Sequence, residues 1–207
     1  MRQASFASGR LGHILLSLLA RIQGTPTAPV PAPGRDALTG LSDRRDFIQT
    51  LGREWALARR HQLAGAVVLV DLDHFKRVND AYGRRCGDAV LQRIGKACAE
   101  GLRLGDALAR FGGEEFILYL PHTDPLGALD VAERLRARVA ALEFNWHGHA
   151  VPLKVSVGVA ALKAEYRDMD QLLRDVDEAL FLAKSAGRNC VRGAVGLLPA
   201  QPSRAMR

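Results

Sequence analysis

Cysteine is scarce in this chain, and what there is does not pair. Cys86, Cys98 and Cys190 are odd in number and lack any metal-ligand spacing. That argues against a disulfide framework or a zinc knuckle and suits a reduced, cytoplasmic protein. Long apolar runs are missing too: nothing approaches the roughly 18 residues that cross a bilayer. Arg2 and Arg10 precede a short apolar stretch, Ile14–Ala20. No small-residue cleavage site follows closely, so the stretch reads as uncleaved. Acid is absent from both ends. Residues 1–34 carry Arg2, Arg10 and Arg21, and residues 192–207 carry Arg192, Arg204 and Arg207, with no Asp or Glu in either. These ends hold six of the seven net positive charges, which leaves residues 35–191 near +1. A basic balance confined to the ends is not a nucleic-acid-reading surface, and no nucleic acid is expected as a partner. No internal repeat is visible.

What is present is a soluble-protein composition, 48% hydrophobic and 25% charged over 207 residues, enough for one domain and a short appendage. Three regions separate. Residues 1–34 place Leu11, Leu15, Leu18 and Ile22 at helical spacing, then a proline-rich linker from Thr25 to Gly34. That helix is a candidate for dimerisation, although it is too short to pair stably alone; contact with a membrane surface or the remnant of a longer regulatory region suits it equally. Residues 35–192 have the pattern of one compact α/β domain, and residues 193–207 form a basic tail expected to be flexible. Within the domain, periodicity predicts helices over about 43–61, 87–102 and 169–186. A further helix follows the Asp124-Pro125 cap and carries Val131, Leu135 and Val139. Ala66–Asp71 reads as a buried strand and Lys154–Ala161, with alternating valines, as a half-buried one. Ala107–Phe111 and Phe116–Leu120 read as a β-hairpin bending at Gly112-Gly113-Glu114-Glu115. The fold class is α/β: a sandwich with a mixed, largely antiparallel central sheet flanked by helices.

The bend carries the chemistry. Glu114 and Glu115 sit on a tight turn, which by itself could be only solvated surface. Asp71 and Asp73 end the valine-rich strand, where a second set of oxygens meets the first. Carboxylates fixed on strand ends and bends suit a hard divalent ion, and magnesium shares its sphere with substrate phosphates, so the cluster points to a nucleotide. Lys184 and Arg188, four apart at the end of the last helix, project from one face. They could instead merely complement the helix dipole.

Four ordered segments carry a resemblance: Asp36-Ala37-Leu38-Thr39-Gly40-Leu41-Ser42-Asp43-Arg44-Arg45; Asp71-Leu72-Asp73-His74-Phe75-Lys76 with Asn79-Asp80; Arg110-Phe111-Gly112-Gly113-Glu114-Glu115-Phe116; and Ala183-Lys184-Ser185-Ala186-Gly187-Arg188-Asn189. Over about residues 35–192 the chain resembles the GGDEF-domain diguanylate cyclases, which have the nucleotidyl-cyclase fold. Asp43 stands where that family more often has Asn. The resemblance implies a magnesium-dependent dimer, with manganese as an alternative ion, that condenses two GTP into cyclic di-GMP and releases two pyrophosphates. It implies metal ligation by Asp71, the Leu72 carbonyl, Glu114 and Glu115, and catalysis by Glu114, Glu115 and Lys76, with the division of labour between the glutamates open. Phe75, Lys76, Asn79, Asp88, Leu91, Lys184 and Arg188 are the implied GTP contacts. Asp88 and Asn79 would read guanine, whose N1–H and N2–H donors suit a carboxylate, although Asp88 could equally be a helix N-cap. Arg103 and Asp106, with Arg134 on the following helix, match the family's RxxD product-inhibition site; an exposed Arg103–Asp106 salt bridge is the plainer alternative. The main rival is a silent module that binds GTP or cyclic di-GMP. A cyclase making a mononucleotide or mixed product is disfavoured by Asp88.

Overall fold

The structure, a computed structural model, describes residues 33–197. The expected seam helix over 11–22, nearly all of the linker and all but the first residues of the basic tail lie outside those residues.

Local signals set the helix ends. α1 (Arg44–His61) begins at Asp43, whose carboxylate accepts the Asp46 N–H at 2.8 Å, so an aspartate serves where the family favours asparagine. It stops at Gln62, in the left-handed region at φ 52°. β1 (Gly65–Leu72) is buried along all eight residues. α2 (Phe75–Tyr82) and α3 (Arg84–Ala99) meet at Gly83, whose φ of 82° turns one helix into the next. β2 (Ala107–Arg110) and β3 (Glu115–Pro121) form the expected hairpin. α4 (Pro125–Ala140) is capped by Asp124, as its sequence predicts. A small hairpin of β4 (Asn145–Trp146) and β5 (His149–Ala150) leads to β6 (Val155–Ala161). α5 (Met169–Ser185) and β7 (Val191–Gly193) complete the described chain.

The five-stranded sheet runs β2-β3-β1-β6-β7. β1 is central and antiparallel to both β3 and β6; β2 is antiparallel to β3, and β7 parallel to β6. Successive β1 side chains point to opposite faces and build two cores. Ala66, Val68 and Val70 pack with Val90 and Ile94 of α3 and Leu135 and Val139 of α4. Val67 and Leu69 pack with Phe47 and Leu51 of α1 and Leu172, Val176 and Leu180 of α5. Because both faces are covered, β1 reads as an unbroken apolar run.

Two expectations need correction. β6 is fully buried, not half-buried. The residues between its valines, Ser156, Gly158 and Ala160, are small because α5 presses on them: a Cβ on Gly158 would lie 2.4 Å from the Val176 carbonyl oxygen and 2.5 Å from the Leu180 nitrogen. The helix expected from Gly87 starts at Arg84. Asp88 therefore lies inside α3 and cannot be its N-cap.

Candidate active site

The site forms where the C-terminal end of β1 meets the β2–β3 bend and the last turn of α5. Asp71 is 5% exposed and faces the α1/α5 side of the sheet. It stands opposite Glu115 in the β1–β3 ladder. The Lys184 ammonium lies 2.9 Å from its carboxylate. Burial pushes the Asp71 carboxyl above its ordinary range, against the pull of Lys184; the neighbouring Asp73 adds to the rise and Arg188 opposes it. Burial also raises Glu114 and Glu115, and the Asp71 charge raises both further, with Lys184 opposing in each case. Three carboxylates thus share one close ammonium, a region short of positive charge.

The bend is anchored by the last residue of β2. Arg110 donates to the Gly113 carbonyl at 2.6 Å and to both Asp36 oxygens at 3.2 and 3.3 Å. Asp36 in turn accepts the Thr39 N–H at 2.8 Å and hydroxyl at 2.6 Å. Burial works against the Asp36 charge, yet the Thr39 hydrogen bonds and Arg110 hold its carboxyl below the usual range. The Leu72 N–H donates to the Glu114 carbonyl at 3.3 Å, tying the end of β1 to the bend. A Cβ on Gly112 would lie 2.3 Å from a Glu115 carboxylate oxygen, so a larger residue there would push the Glu115 side chain aside; Gly113 has open space around it. Arg44 covers the Phe111 ring at 4.5 Å. Glu115 borders an open groove of about 420 Å³, shared with Arg44, Phe111, Arg174 and Asp177.

Loop 186–190 closes the site. Gly187, Arg188 and Asn189 are all left-handed, at φ 105°, 64° and 45°. For the two non-glycine residues this conformation costs on the order of 1–2 kcal/mol each, so the surrounding contacts must hold it. The Asn189 N–H donates to Asp73 at 2.9 Å, and Arg136 donates to the Asn189 side-chain oxygen at 3.0 Å.

Among the described residues, no three carboxylate, histidine or cysteine side chains converge closely enough to enclose a metal ion. The donor set instead fits an ion that takes one or two carboxylates and completes its sphere with phosphate oxygens. On the nucleotide side, α2 begins after His74, left-handed at φ 60°. Lys76 is exposed, and the first N–H groups of α2 have no intrahelical acceptor. The Asn79 carboxamide oxygen fills the space over Gly87, where a Cβ would lie only 1.9 Å away, which brings it beside half-buried Asp88. Phe75 and Leu91 are instead core residues, 8% and 2% exposed, able to support a nucleotide pocket but not to form its open wall.

Arg103, Asp106 and Arg134 also come together, around a shallow depression of about 100 Å³ bordered by Gly127 and Asp130. No Arg103–Asp106 salt bridge forms among the described residues. Asp106 accepts the Arg103 backbone N–H at 2.7 Å, which shapes the turn and leaves the Arg103 side chain exposed. Arg134 pairs with Asp130 at 2.5 Å on the exposed face of α4.

Sequence reading missed the roles of Asp36, Thr39, Arg110, Asn189 and Arg136. The Asp36–Thr39 spacing is a local turn signal, but Arg110 and Asn189 meet partners 74 and 116 residues away.

Residues 34–190 match the family model described as diguanylate cyclase, GGDEF domain. The chain is 40% identical over 156 residues to the diguanylate cyclase DgcP of Pseudomonas aeruginosa, a match covering 74% of this chain and 23% of that protein. It is 37% identical over 163 residues to the response regulator PleD of Caulobacter vibrioides, covering 76% of this chain and 35% of PleD. The chain thus spans about a quarter to a third of these relatives. Among solved structures, the GGDEF domain of DgcB from Caulobacter crescentus, in complex with c-di-GMP, superposes with a TM-score of 0.76 at 27% identity, covering 83% of this chain and 98% of that one. The diguanylate cyclase SiaD of Pseudomonas aeruginosa, in complex with its activator SiaC, gives 0.75 at 34% identity, covering 89% and 68%.

Proposed function

The chain belongs to the GGDEF family of diguanylate cyclase domains, and from that premise we propose that it condenses two GTP molecules into cyclic di-GMP, releasing two pyrophosphates, in the cytoplasm. The carrying observation is the buried Asp71, opposite Glu115 and bound to Lys184 at 2.9 Å. A receptor that only bound nucleotide would gain nothing from a buried carboxylate flanked by two half-buried ones beside one ammonium. Such a cluster costs stability and repels phosphate unless cations arrive with the substrate.

In this reading Lys76, Lys184 and Arg188 bind and orient the triphosphate, aided by the first backbone N–H groups of α2. A magnesium ion, with manganese as an alternative, would be held by Asp71, the Leu72 carbonyl, Glu115 and Glu114, and would neutralise charge developing on the leaving pyrophosphate. Asp88 and Asn79 accept and donate at the guanine edge, with Phe75 and Leu91 packing beneath it; adenine would leave Asp88 unpaired. The 3′-hydroxyl oxygen of one nucleotide attacks the α-phosphorus of the other, and the bond to pyrophosphate breaks. The hydroxyl proton passes to one of the bend glutamates, Glu114 or Glu115, both of whose carboxyls burial raises, so that either holds a proton better than an exposed one. Two reciprocal attacks need two sites facing across a two-fold axis, so the working unit is a homodimer. Cyclic di-GMP then inhibits through Arg103, Asp106 and Arg134: the guanidinium forks of the two arginines suit guanine edges and phosphates, and the Asp106 carboxylate shapes the turn that presents Arg103.

Incubation of the purified protein with GTP and magnesium, followed by chromatography, tests the reading. Cyclic di-GMP should accumulate with wild type and not with Asp71→Asn. Tight GTP binding without product would establish the silent module instead.

A further inference from the structure

Asp73 follows β1 two residues after Asp71, and the sequence suggests it as another oxygen donor to an ion. Its carboxylate is committed elsewhere. One oxygen accepts the Ser156 hydroxyl of β6 at 2.7 Å, the other the Asn189 N–H at 2.9 Å. Asn189 is the third of the three left-handed residues after α5. From the other side it is gripped by Arg136, itself clamped to Glu133 at 2.6 Å. The Arg188 N–H reaches back to the Ala183 carbonyl at 3.1 Å, and the Cys190 carbonyl accepts the Val157 N–H at 3.0 Å. Every anchor of this loop is a specific polar contact, and Asp73 supplies the one that joins it to the β1 end.

We propose that Asp73 is a positioning residue: its carboxylate latches loop 186–190 to β1 and β6, and so holds Arg188 beside the Lys184–Asp71 pair. The proposal rests on the reading of that pair as part of the triphosphate site. Without the latch, Arg188 and Asn189 are released toward the right-handed backbone they intrinsically favour, which turns the Arg188 side chain away. Lys184 is still held in the last turn of α5, so the damage falls on substrate binding more than on turnover.

Hydrogen–deuterium exchange of the full chain reads the latch directly. Asp73→Ala should speed exchange in residues 186–190 about tenfold, the scale of one lost hydrogen bond to a charged group. Asp73→Asn should stay nearer wild type, because its amide oxygen can accept the Asn189 N–H while its amide donates to Ser156. Should Asp73→Ala fail to fold, Ser156→Ala removes the other bond and must loosen the same segment to a smaller degree. In steady-state assays Asp73→Ala should raise the KM for GTP roughly tenfold with a lesser fall in kcat. Adding it to Arg188→Ala should cost little more, because both act through one side chain. Unchanged exchange in whichever of the alanine variants fold overturns the latch, and so does an Asp73→Asn as inactive as Asp71→Asn, the mark of a metal ligand. A wild type that makes no cyclic di-GMP overturns the functional reading alone, and the exchange comparison still decides the latch.

Discussion

A carboxylate buried beside two others works against the fold that holds it. Asp71, Glu114 and Glu115 all have carboxyls raised above their ordinary values of 3.8 and 4.5. In the unfolded chain they lose their protons first. Their effect therefore favours the fold on the acid side of those values and weakens it as pH rises through the folded values. Asp71→Asn should consequently raise Tm by a few degrees, on the scale of about 1 kcal/mol, while abolishing product formation; the Lys184 left behind is 34% exposed and can turn to water. Thermal melts at neutral pH check this, and a fall of several degrees would mean that the ion pair outweighs the burial. Asp36→Ala should act oppositely. It strands the Arg110 guanidinium, whose Nε is already buried without a partner, and should cost about 2 kcal/mol in a urea melt. The Gly113 anchor then slackens, so kcat should fall further than stability alone explains. The Asp36 role could not be read in advance, because a turn motif shows its own spacing and not the arginine 74 residues away.

Among the secondary-structure elements, the sequence was most legible where the signal is local. Asp43, Asp124 and Asp168 each cap a helix with their own carboxylate, and the long amphipathic helices stop within a few residues of where their periodicity ends. α2 was harder to see, since it has eight residues, no capping side chain and a left-handed start at His74. β7, with three residues, exists only through its pairing with β6. The reading of β6 failed because alternation of large and small residues imitates alternation of buried and exposed ones. Gly158→Ala tests the corrected view. The added methyl meets α5 backbone rather than a yielding side chain, so α5 must lift, at a cost of about 1–3 kcal/mol. Since Lys184 rides on that helix, activity should drop with stability, as parallel denaturation and turnover assays would register.

At the scale of the molecule, two predictions concern assembly and feedback. If two sites must face each other, specific activity should climb with protein concentration until the dimer saturates, and dilution series read this directly. Arg103→Ala should remove inhibition by cyclic di-GMP while initial rates persist, since the Arg103 side chain projects from a turn that Asp106 shapes through backbone hydrogen bonding; inhibition that survives would move the effector site elsewhere. Among the described residues no helix is long and apolar enough to cross a membrane.

The central sheet also separates what each core can answer for. Asp71, Glu115 and Lys184 belong with the α1/α5 layer, whereas Arg134 stands on α4, which packs against the other face. The carboxylate cluster and the proposed effector arginines therefore sit in different layers, although α2 and α3, which carry Asn79 and Asp88, share the α4 side with Arg134. If the proposed feedback site holds, a domain of this kind can lose and regain sensitivity to its product at Arg103 or Arg134 while its metal-binding carboxylates stay as they are.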